Sequence, residues 1–442
     1  MNKTLRNIFK GDKVIWVVFL LLCLISLIEV FSASSHLTYG HASFIDPILK
    51  HAATIIGGVV AAVIIVNIEC KYFKVATPVL IFISVATLVW VLIGGENING
   101  ANRVIRIGSQ TFQPSEIAKG TVVLAVAQIL SAMQTDKGAD KKAFIYILIV
   151  TIPFAGLIVT ENLSTAALLC AVVFLMMVIG RVPMRQLAKL VGFCIGLVAL
   201  VIAGVMVLDS ASPSTPPDSS VQVASNQAVS DTPKGKEKEE KNFIASIFHR
   251  AQIWKNRITD FSSEERIPID QYDLNGGDAQ VAHANIAIVT SNYIGKGPGN
   301  SEERDFLAQA YSDFIYAIII EEMGLLGAAG VVFLYIILLF RTAVIASRCD
   351  NNFPAFLAMG LALLLVVQAS FNMMVAVGMV PVTGQPLPLI SKGGTSTIIN
   401  GAYIGAILSV SRWAKRKKRS SIPSDNVVTG RNNTLNMEPI TI

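Results

Sequence analysis

The chain has 442 residues, of which 53% are hydrophobic and 15% are charged, and its formal net charge is +6 at pH 7. Such an apolar and segmented chain is atypical of soluble globular proteins, and it indicates a polytopic membrane protein. The positions of Lys and Arg between the apolar runs explain most of the positive charge, which is therefore no sign of nucleic-acid binding.

Ten apolar runs are long enough to cross a bilayer as helices. They lie near residues 14–34, 50–68, 73–94, 114–133, 143–160, 163–180, 187–208, 313–340, 355–380 and 393–412. Only the short TENLS segment separates the fifth run from the sixth, so the count could differ by one. The runs predict an all-α polytopic membrane protein with about ten transmembrane helices.

Basic residues indicate how these helices are oriented. They precede the first run, occupy every second connection after it, and end in RWAKRKKR at 412–419. The positive-inside rule therefore predicts that both termini are cytoplasmic. The predicted organisation is helices 1–7 in residues 1–208, a long external loop at 209–312, helices 8–10 at 313–412 and a basic cytoplasmic tail at 413–442. The basic residues of the tail are explained by the positive-inside rule, as an anchor on the cytoplasmic side. The alternative is that they contact anionic lipid or divisome proteins.

The first run resembles a signal peptide because a basic start leads into it and it ends in FSASS. Its full span length and the nine runs after it favour an uncleaved first helix. The five cysteines and five histidines have no metal-ligand or redox spacing. The sequence therefore predicts neither a disulfide framework nor a resident metal site.

Charged residues stand at the start of the fourth run. Gln113, Pro114 and Ser115 lead into Glu116 and Lys119, which are three residues apart and so share one helix face. Such a pair is costly inside a membrane and is therefore a candidate for function. The alternative is an interfacial pair that merely starts the helix, with Glu116 at the positive end of the helix dipole.

Arg103 and Arg106 lie just outside this helix. They could hold an anionic group or meet lipid headgroups, and position alone does not separate these readings.

The long external loop has three parts. Residues 209–242 are rich in Ser, Pro and charge and lack aromatic residues, so they predict a disordered insertion. Residues 243–261 space their apolar side chains at helical intervals between basic ones, which predicts a helix on the membrane surface or an ordinary packed surface helix. A small-residue helix and the glycine-rich GKGPG turn then return the chain to the membrane, so that membrane-surface helices and a turn are expected across 243–312.

Three acids stand in FLAQAYSDFIYAIIIEEMG, residues 306–324. On one continuous helix, Glu321 would lie about 80° from Asp313 in projection and about 12 Å further along the axis, with Glu322 on the opposite side. This spacing predicts that Asp313 faces a cavity mouth, or caps the helix in solvent. Glu321 and Glu322 are expected to pair internally, with Lys119 and nearby backbone donors as their partners.

Three prolines and three glycines interrupt the junction of the ninth and tenth runs, MVPVTGQPLPLISKGGTSTI at 379–398. Irregular backbone at membrane depth survives only where protein or water satisfies its polar groups, so the segment predicts a broken or re-entrant element that lines a cavity. A plain external loop is the alternative. Ser391, Lys392, Gly393 and Gly394 could bind phosphate oxygens through free amides and the Lys392 ammonium.

Several segments, in a fixed order, resemble the SEDS family of peptidoglycan polymerases, which includes FtsW, RodA and SpoVE. The likeness rests on SAS at 32–34, GANR at 100–103, FQPSEIAK at 112–119, ENLSTA at 161–166, GKGPG at 295–299, SDFIYAIIIEEMG at 312–324 and QASFNMMVAVGMVPVTGQPLPLISKGGTS at 368–396. It covers nearly all of the chain except the insertion at 209–242 and the tail. AYSDFIY and TGQPLP make the chain most similar to the division-type members, FtsW.

The resemblance implies a glycosyltransferase that polymerises lipid II, a disaccharide pentapeptide carried on undecaprenyl pyrophosphate, at the outer face of the cytoplasmic membrane during septal synthesis. It implies that Asp313 is the essential loop aspartate, that Glu116 and Lys119 are the helix-start pair, and that Arg103 is the family's arginine. The implied partners are a class B penicillin-binding protein transpeptidase, other divisome proteins and membrane lipids, with no nucleic acid.

The chain departs from the family's pattern at three places. The usual Pro-Glu before the aspartate is Ala308 and Gln309, and the usual His-Thr pair is Tyr311 and Ser312. The family's Pro-Asp-Leu-Gly-Thr reads Glu-Asn-Leu-Ser-Thr at 161–165. No role for the usual histidine or for that second aspartate carries over to this chain.

The implied chemistry fits the residues. Forming a β-glycosidic bond from a pyrophosphate-linked donor needs a base near the acceptor hydroxyl, and cations or amide donors near the departing pyrophosphate. Asp313 is the candidate base, with inversion at the anomeric carbon, and Arg103, Lys119, Lys296 and Lys392 are candidates for the pyrophosphate. A divalent cation could help to neutralise the pyrophosphate, although no ligand cluster calls for one.

Three alternatives stay open beside the division-type polymerase. A transporter (flippase) of lipid-linked precursor would also use about ten helices, intramembrane charges and broken helices, and it predicts release of intact precursor without polymer. A non-catalytic scaffold for the transpeptidase predicts that loss of Asp313 or Glu116 is tolerated. A RodA-type elongation polymerase differs only in its cellular role.

Overall fold

A computed structural model describes most of the membrane part of the chain. The described residues are 9–34, 46–98, 101–107, 110–196, 279–307 and 310–420. The predicted insertion at 209–242, the predicted surface helix at 243–261 and the end of the predicted tail lie outside these residues.

The described residues are mainly helical, which confirms the predicted fold class. The helices are α1 Lys13–Ser34, α2 Asp46–Ile65, α3 Cys70–Gly94, α4 Pro114–Ala132, α5 Lys141–Glu161, α6 Leu163–Ile179, α7 at 184–196, α8 Ala279–Thr290, α9 Ile315–Ala346, α10 Asn352–Ala376 and α11 Thr395–Ser420. Within the described ranges, seven of these helices are long and apolar enough to cross a membrane, namely α1 to α5, α9 and α10. Helix α6 is apolar but has only 17 residues, so the count of ten spans stays a prediction.

Two small antiparallel sheets lie in connections between helices. Strands β1 Glu96–Ile98, β2 Ala101–Ile107 and β3 Gln110–Phe112 form the first, between α3 and α4. Strands β4 Gln134–Thr135 and β5 Gly138–Ala139 form the second, between α4 and α5. The sequence analysis did not predict these strands, because they are too short to stand out in a search for apolar runs. The first sheet leads directly into α4.

Helix α4 lies at the centre of the bundle. In its apolar window 72% of the residues are buried, whereas the corresponding share for α3 is 22%. It packs against α3, α5 and α10. A helix buried all round is typical of the core, so any charge that α4 carries is held away from lipid.

Helix α9 is broken at Gly324, where φ is 68° and ψ is −175°. Tyr316 Oη donates a hydrogen bond to the carbonyl oxygen of Ala328 at 3.2 Å, although twelve residues of straight helix would cover about 18 Å. The chain therefore bends sharply at Gly324, and the short arm 315–323 turns back towards the long segment 325–346.

Residues 292–302 fill this break, and we call them the clasp. The amides of Lys296 and Gly297 donate to the carbonyl oxygens of Glu321 and Glu322 at 2.9 and 2.8 Å. On the other side of the break, the amides of Leu325 and Leu326 donate to clasp carbonyls at 3.4 and 3.2 Å. The clasp thus satisfies backbone groups that the break removes from the helix, as buried polar groups require.

Candidate active site

Asp313 lies half-buried in the turn just before α9. Its Oδ1 accepts a hydrogen bond from Ser312 Oγ at 2.9 Å, and its backbone carbonyl accepts one from Asn372 Nδ2 of α10 at 2.8 Å. Gly384, whose φ is 64°, passes so close that a Cβ there would lie 3.5 Å from Asp313 Oδ2. The turn, α10 and the connection after α10 together fix the position of this carboxylate.

The connection 377–394 enters the helix bundle, and we call it the re-entrant loop. Tyr335 Oη donates to the carbonyl oxygen of Pro388, and Ser26 Oγ donates to that of Ile390 at 2.6 Å. Both donors lie well inside their helices, α9 and α1. These contacts support the predicted re-entrant element and not the plain external loop.

The re-entrant loop is joined directly to the turn that carries Asp313. Ser391 Oγ donates to the carbonyl oxygen of Ser312 at 2.6 Å, and the Lys392 amide donates to that of Tyr311 at 3.0 Å. Lys392 Nζ lies 4.8 Å from the centroid of the Tyr311 ring, a cation–π distance. Burial, and after it the charge of Lys50, lowers the pKa of Lys392. An acid and a cation are therefore held by adjoining segments.

Glu116 and Lys119 form a buried ion pair near the start of α4. Lys119 Nζ lies 2.9 Å from Glu116 Oε1, and the exposed fractions of the two side chains are 0% and 2%. Lys119 Nζ also donates to Gln368 Oε1 of α10 at 2.7 Å. Tyr403 Oη of α11 donates to the Glu116 backbone carbonyl. The pair is therefore buried inside the protein, and Glu116 also lies in the first turn of α4, as the interfacial alternative expects.

Three amide side chains that the sequence analysis did not single out link this ion pair to Asp313. Gln368 Nε2 donates to the carbonyl oxygen of Pro386 at 3.1 Å. Asn372 Nδ2 donates to that of Gln385 at 2.7 Å as well as to Asp313. Gln385 Nε2 donates to Thr165 Oγ1 of α6 at 2.8 Å. The sequence could have indicated two of these amides, since QASFN places two amide residues four apart in an apolar run. Buried amides in a membrane helix need hydrogen-bond partners.

Glu321 and Glu322 pair with the clasp and not with Lys119, which corrects one of the predicted partners. Lys296 Nζ lies 2.8 Å from Glu321 Oε1. The Gly299 amide donates to Glu322 Oε2 at 2.9 Å. The Lys119 ammonium group instead donates to Glu116 and Gln368. Their internal pairing and the backbone donors were predicted correctly.

Lys296, a predicted pyrophosphate ligand, lies in this clasp. Besides Glu321, its ammonium group contacts Glu302 Oε2 at 3.2 Å. Burial opposes its charge, but hydrogen bonds and charge from Glu321 and Glu302 together raise the pKa of Lys296. Two carboxylates thus already balance this lysine.

The remaining predicted residues lie at the starts of α4 and α11. Gln113 immediately precedes α4, Pro114 is its first residue, and Gln113 Nε2 donates to the buried Ser115 Oγ at 3.1 Å. Gly393 and Gly394 lead into α11, and the φ of Gly394 is 52°, a left-handed value that favours glycine. These residues shape the backbone around the pair and the re-entrant loop.

Some predicted positions are only partly described. Arg103 lies in β2, and its side chain is outside the described part of the molecule. Arg106, in the same strand, is exposed. Ala308 and Gln309, which replace the family's usual Pro-Glu, are also outside the described residues.

Glu29 is an intramembrane acid that the sequence analysis did not single out. It lies in α1 with 0% exposure, one helical turn before Ser32, whose hydroxyl donates to Glu322. The sequence did contain a signal for this acid, because a single charged residue inside an apolar run is costly in a membrane and therefore a candidate for function. Among the residues that the structure describes, no group of three or more His, Cys, Asp or Glu side chains is placed to hold a metal ion.

Comparisons with known proteins agree with this architecture. The family model FTSW_RODA_SPOVE, described as cell cycle protein, matches residues 12–212 and 242–416. A probable peptidoglycan glycosyltransferase FtsW from Halomonas elongata is 26% identical over 386 residues, which are 85% of this chain and 84% of that protein. A protein of the same description from Aromatoleum aromaticum is 29% identical over 411 residues, 90% of this chain and 87% of that one.

Solved structures show the same fold. One is described as "Structural coordination of polymerization and crosslinking by a peptidoglycan synthase complex"; its matching chain has a TM-score of 0.63 and 22% identity, over 91% of this chain and 98% of its own length. The rod shape determining protein RodA of Thermus thermophilus has a TM-score of 0.57 and 22% identity, over 91% of this chain and 97% of its own. Since the family model covers well over half of its length, this chain belongs to the FtsW/RodA/SpoVE family of cell cycle proteins.

Proposed function

We propose that this chain is a peptidoglycan glycosyltransferase that polymerises lipid II at the outer face of the cytoplasmic membrane, in septal synthesis. One observation carries the proposal. The Asp313 turn and the Lys392 segment are joined through the Ser391 to Ser312 hydrogen bond of 2.6 Å, so a base and a cation adjoin. The relatives described as FtsW glycosyltransferases support the activity and the division role.

In the proposed reaction Asp313 acts as the general base. Its carboxylate takes the proton of the acceptor sugar hydroxyl while that oxygen forms a bond to the anomeric carbon of the donor. The bond from the anomeric carbon to the pyrophosphate oxygen breaks, and its electron pair leaves with the pyrophosphate. Attack from the opposite face inverts the anomeric configuration. Ser312 Oγ donates to the Asp313 carboxylate and Asn372 Nδ2 donates to the Asp313 backbone carbonyl, and both contacts leave Asp313 in a half-buried turn where a sugar can approach it.

Glu116 and Lys119 have a supporting part in this proposal. Their buried pair fixes Gln368, which in turn holds the re-entrant loop at Pro386. The pair therefore helps to hold the re-entrant loop, which carries Lys392 and is joined to the Asp313 turn. This role needs both charges to stay paired, because an unpaired buried charge would disrupt the packing around it.

The partner in the proposal is a class B penicillin-binding protein transpeptidase. The solved chain of highest TM-score above comes from a peptidoglycan synthase complex that coordinates polymerisation and crosslinking, which supports such a partner. The other divisome proteins of the proposal follow from the division-type relatives.

The experiment uses purified full-length protein in detergent with labelled lipid II, with and without the candidate transpeptidase. Polymerase activity predicts glycan strands, and a transporter predicts only intact lipid II because detergent leaves no bilayer to cross. Asp305→Asn, at an exposed acid eight residues before Asp313, is the matched control and should polymerise at the parental rate. If Asp313→Asn also kept that rate, the base assignment would be wrong.

A further inference from the structure

Two lysines from distant parts of the chain lie on segments that are joined beside the re-entrant loop. Lys392 ends this loop, with its amide bonded to Tyr311 and its ammonium group over the Tyr311 ring. Lys50 lies exposed in the first turns of α2, and burial, followed by the charge of Lys50, lowers the pKa of Lys392. No motif or resemblance in the sequence pointed to Lys50.

The protein holds these two lysines in place through buried contacts. His51, the residue after Lys50, is buried, and its Nε2 is 2.9 Å from Ser26 Oγ. The same Ser26 hydroxyl donates to the carbonyl oxygen of Ile390, two residues before Lys392. The start of α2 is therefore fastened to the loop that carries Lys392.

Helices α2 and α11 also pack closely just beyond this point. A Cβ at Gly58 of α2 would lie 3.0 Å from the carbonyl oxygen of Thr397 in α11. A Cβ at Gly401 of α11 would lie 2.3 Å from the carbonyl oxygen of Gly58. Such close backbone approach leaves little room for the two lysines to move apart through a helix shift.

Neither Lys50 nor Lys392 has a carboxylate partner in the part of the chain that the structure describes. Lys119 and Lys296, by contrast, contact one and two carboxylates. Ammonium groups on adjoining segments repel each other, and the burial of Lys392 disfavours its charge further, so a bound anion would stabilise the arrangement.

We propose that Lys50 and Lys392 together bind the diphosphate group of the lipid-linked donor, an inference that rests on the proposed function. A diphosphate carries more negative charge than a phosphodiester headgroup and so matches two ammonium groups. Lysine is a common point-charge ligand of phosphate. When the bond to the anomeric carbon breaks, negative charge grows on the diphosphate, and two cations beside it stabilise that charge.

The test measures binding and does not depend on polymerisation. Purified full-length protein in detergent is titrated calorimetrically, at fixed ionic strength, with farnesyl diphosphate and with farnesyl monophosphate. The parent should bind the diphosphate more tightly. Lys50→Gln and Lys392→Gln should each weaken diphosphate binding about tenfold, the scale of a lost charge-assisted contact. Lys392→Arg should keep most of the affinity because it keeps the charge.

Lys71→Gln is the matched control, since Lys71 is an exposed lysine in the first turn of α3 and forms an ion pair with Glu69. It should bind farnesyl diphosphate as the parent does, and size-exclusion profiles should show all variants folded. The proposal is overturned if Lys50→Gln binds the diphosphate like the parent, if both probes bind the parent equally, or if phosphatidylglycerol displaces the diphosphate.

The same variants separate this inference from the proposed function. If no glycan strands form but the two substitutions still weaken diphosphate binding, the diphosphate site stands and the polymerase assignment fails. If strands form at the parental rate in Lys50→Gln and Lys392→Gln, with unchanged diphosphate affinity, the polymerase assignment stands and the diphosphate site fails.

Discussion

Lys119→Met should destabilise the protein strongly, because it removes one partner of a buried ion pair. Lys119 and Glu116 have exposed fractions of 0% and 2%, and their N–O distance is 2.9 Å. Glu116 Oε2 already has no hydrogen-bond partner among the described residues. Without Lys119 the Glu116 carboxyl group would lack its cationic partner in a buried site, and breaking such a pair costs about 3–5 kcal/mol.

A double variant separates charge from packing. Glu116→Gln combined with Lys119→Met removes both charges, so the remaining loss is mainly the contact to Gln368, about 1–2 kcal/mol. The double variant should therefore unfold at a higher temperature than Lys119→Met alone. Polymerisation should stay low in both, since the position of the re-entrant loop depends on the contact between Lys119 and Gln368.

The assay is thermal unfolding of purified protein in one detergent, followed by intrinsic fluorescence. Lys71→Met is the control, because the Lys71–Glu69 pair is short, at 2.6 Å, but exposed, and exposed pairs contribute little to stability. The reasoning is refuted if Lys119→Met unfolds no earlier than Lys71→Met, or if the double variant is as unstable as the single one.

Two further predictions concern the clasp. Gly295→Ala should destabilise the protein more than Gly299→Ala in the same unfolding assay. Both glycines have positive φ, but a Cβ at Gly295 would lie 2.3 Å from the Glu322 carbonyl oxygen, whereas a Cβ at Gly299 would have no atom within 4 Å. Equal losses of stability in the two variants would contradict the close packing of the clasp against α9. Because its carboxylate neighbours raise the pKa of Lys296, the stabilisation from this pair is complete below the ordinary lysine pKa of about 10.4 and is lost as the pH rises through the folded value. The unfolding temperature of the parent should therefore fall more steeply above about pH 10.4 than that of Lys296→Met. The same pH dependence in both proteins would contradict a stabilising contact between Lys296 and its two carboxylate neighbours.

Local patterns in the sequence were enough to predict several features. Glu116 and Lys119 are three residues apart on one helix, so their pairing follows from helix geometry. The prolines and glycines of 379–398 predicted a re-entrant element, because only protein contacts can satisfy irregular backbone at membrane depth. The long apolar runs likewise predicted most of the helices.

Features that depend on contacts between distant segments were not predictable in this way. Glu321 meets Lys296 only because α9 breaks at Gly324 and admits the clasp, whereas a continuous helix had suggested Lys119. Asn372 reaches the Asp313 carbonyl across 59 residues of sequence. The helix that carries Lys50 and the loop that carries Lys392 are joined only in the folded bundle, through Ser26. The periodicity and residue spacing within a single segment do not predict such long-range contacts.

The most direct test of the account is the rate of one glycosyl transfer with Asp313→Asn. The protein is first loaded with labelled lipid II, binding is measured, and strand formation is then followed from the bound state. Loss of a general base predicts that lipid II binding stays near the parental value while the transfer rate falls about 10²- to 10⁴-fold. Asp305→Asn should transfer at the parental rate. Parental transfer by Asp313→Asn would contradict the central claim.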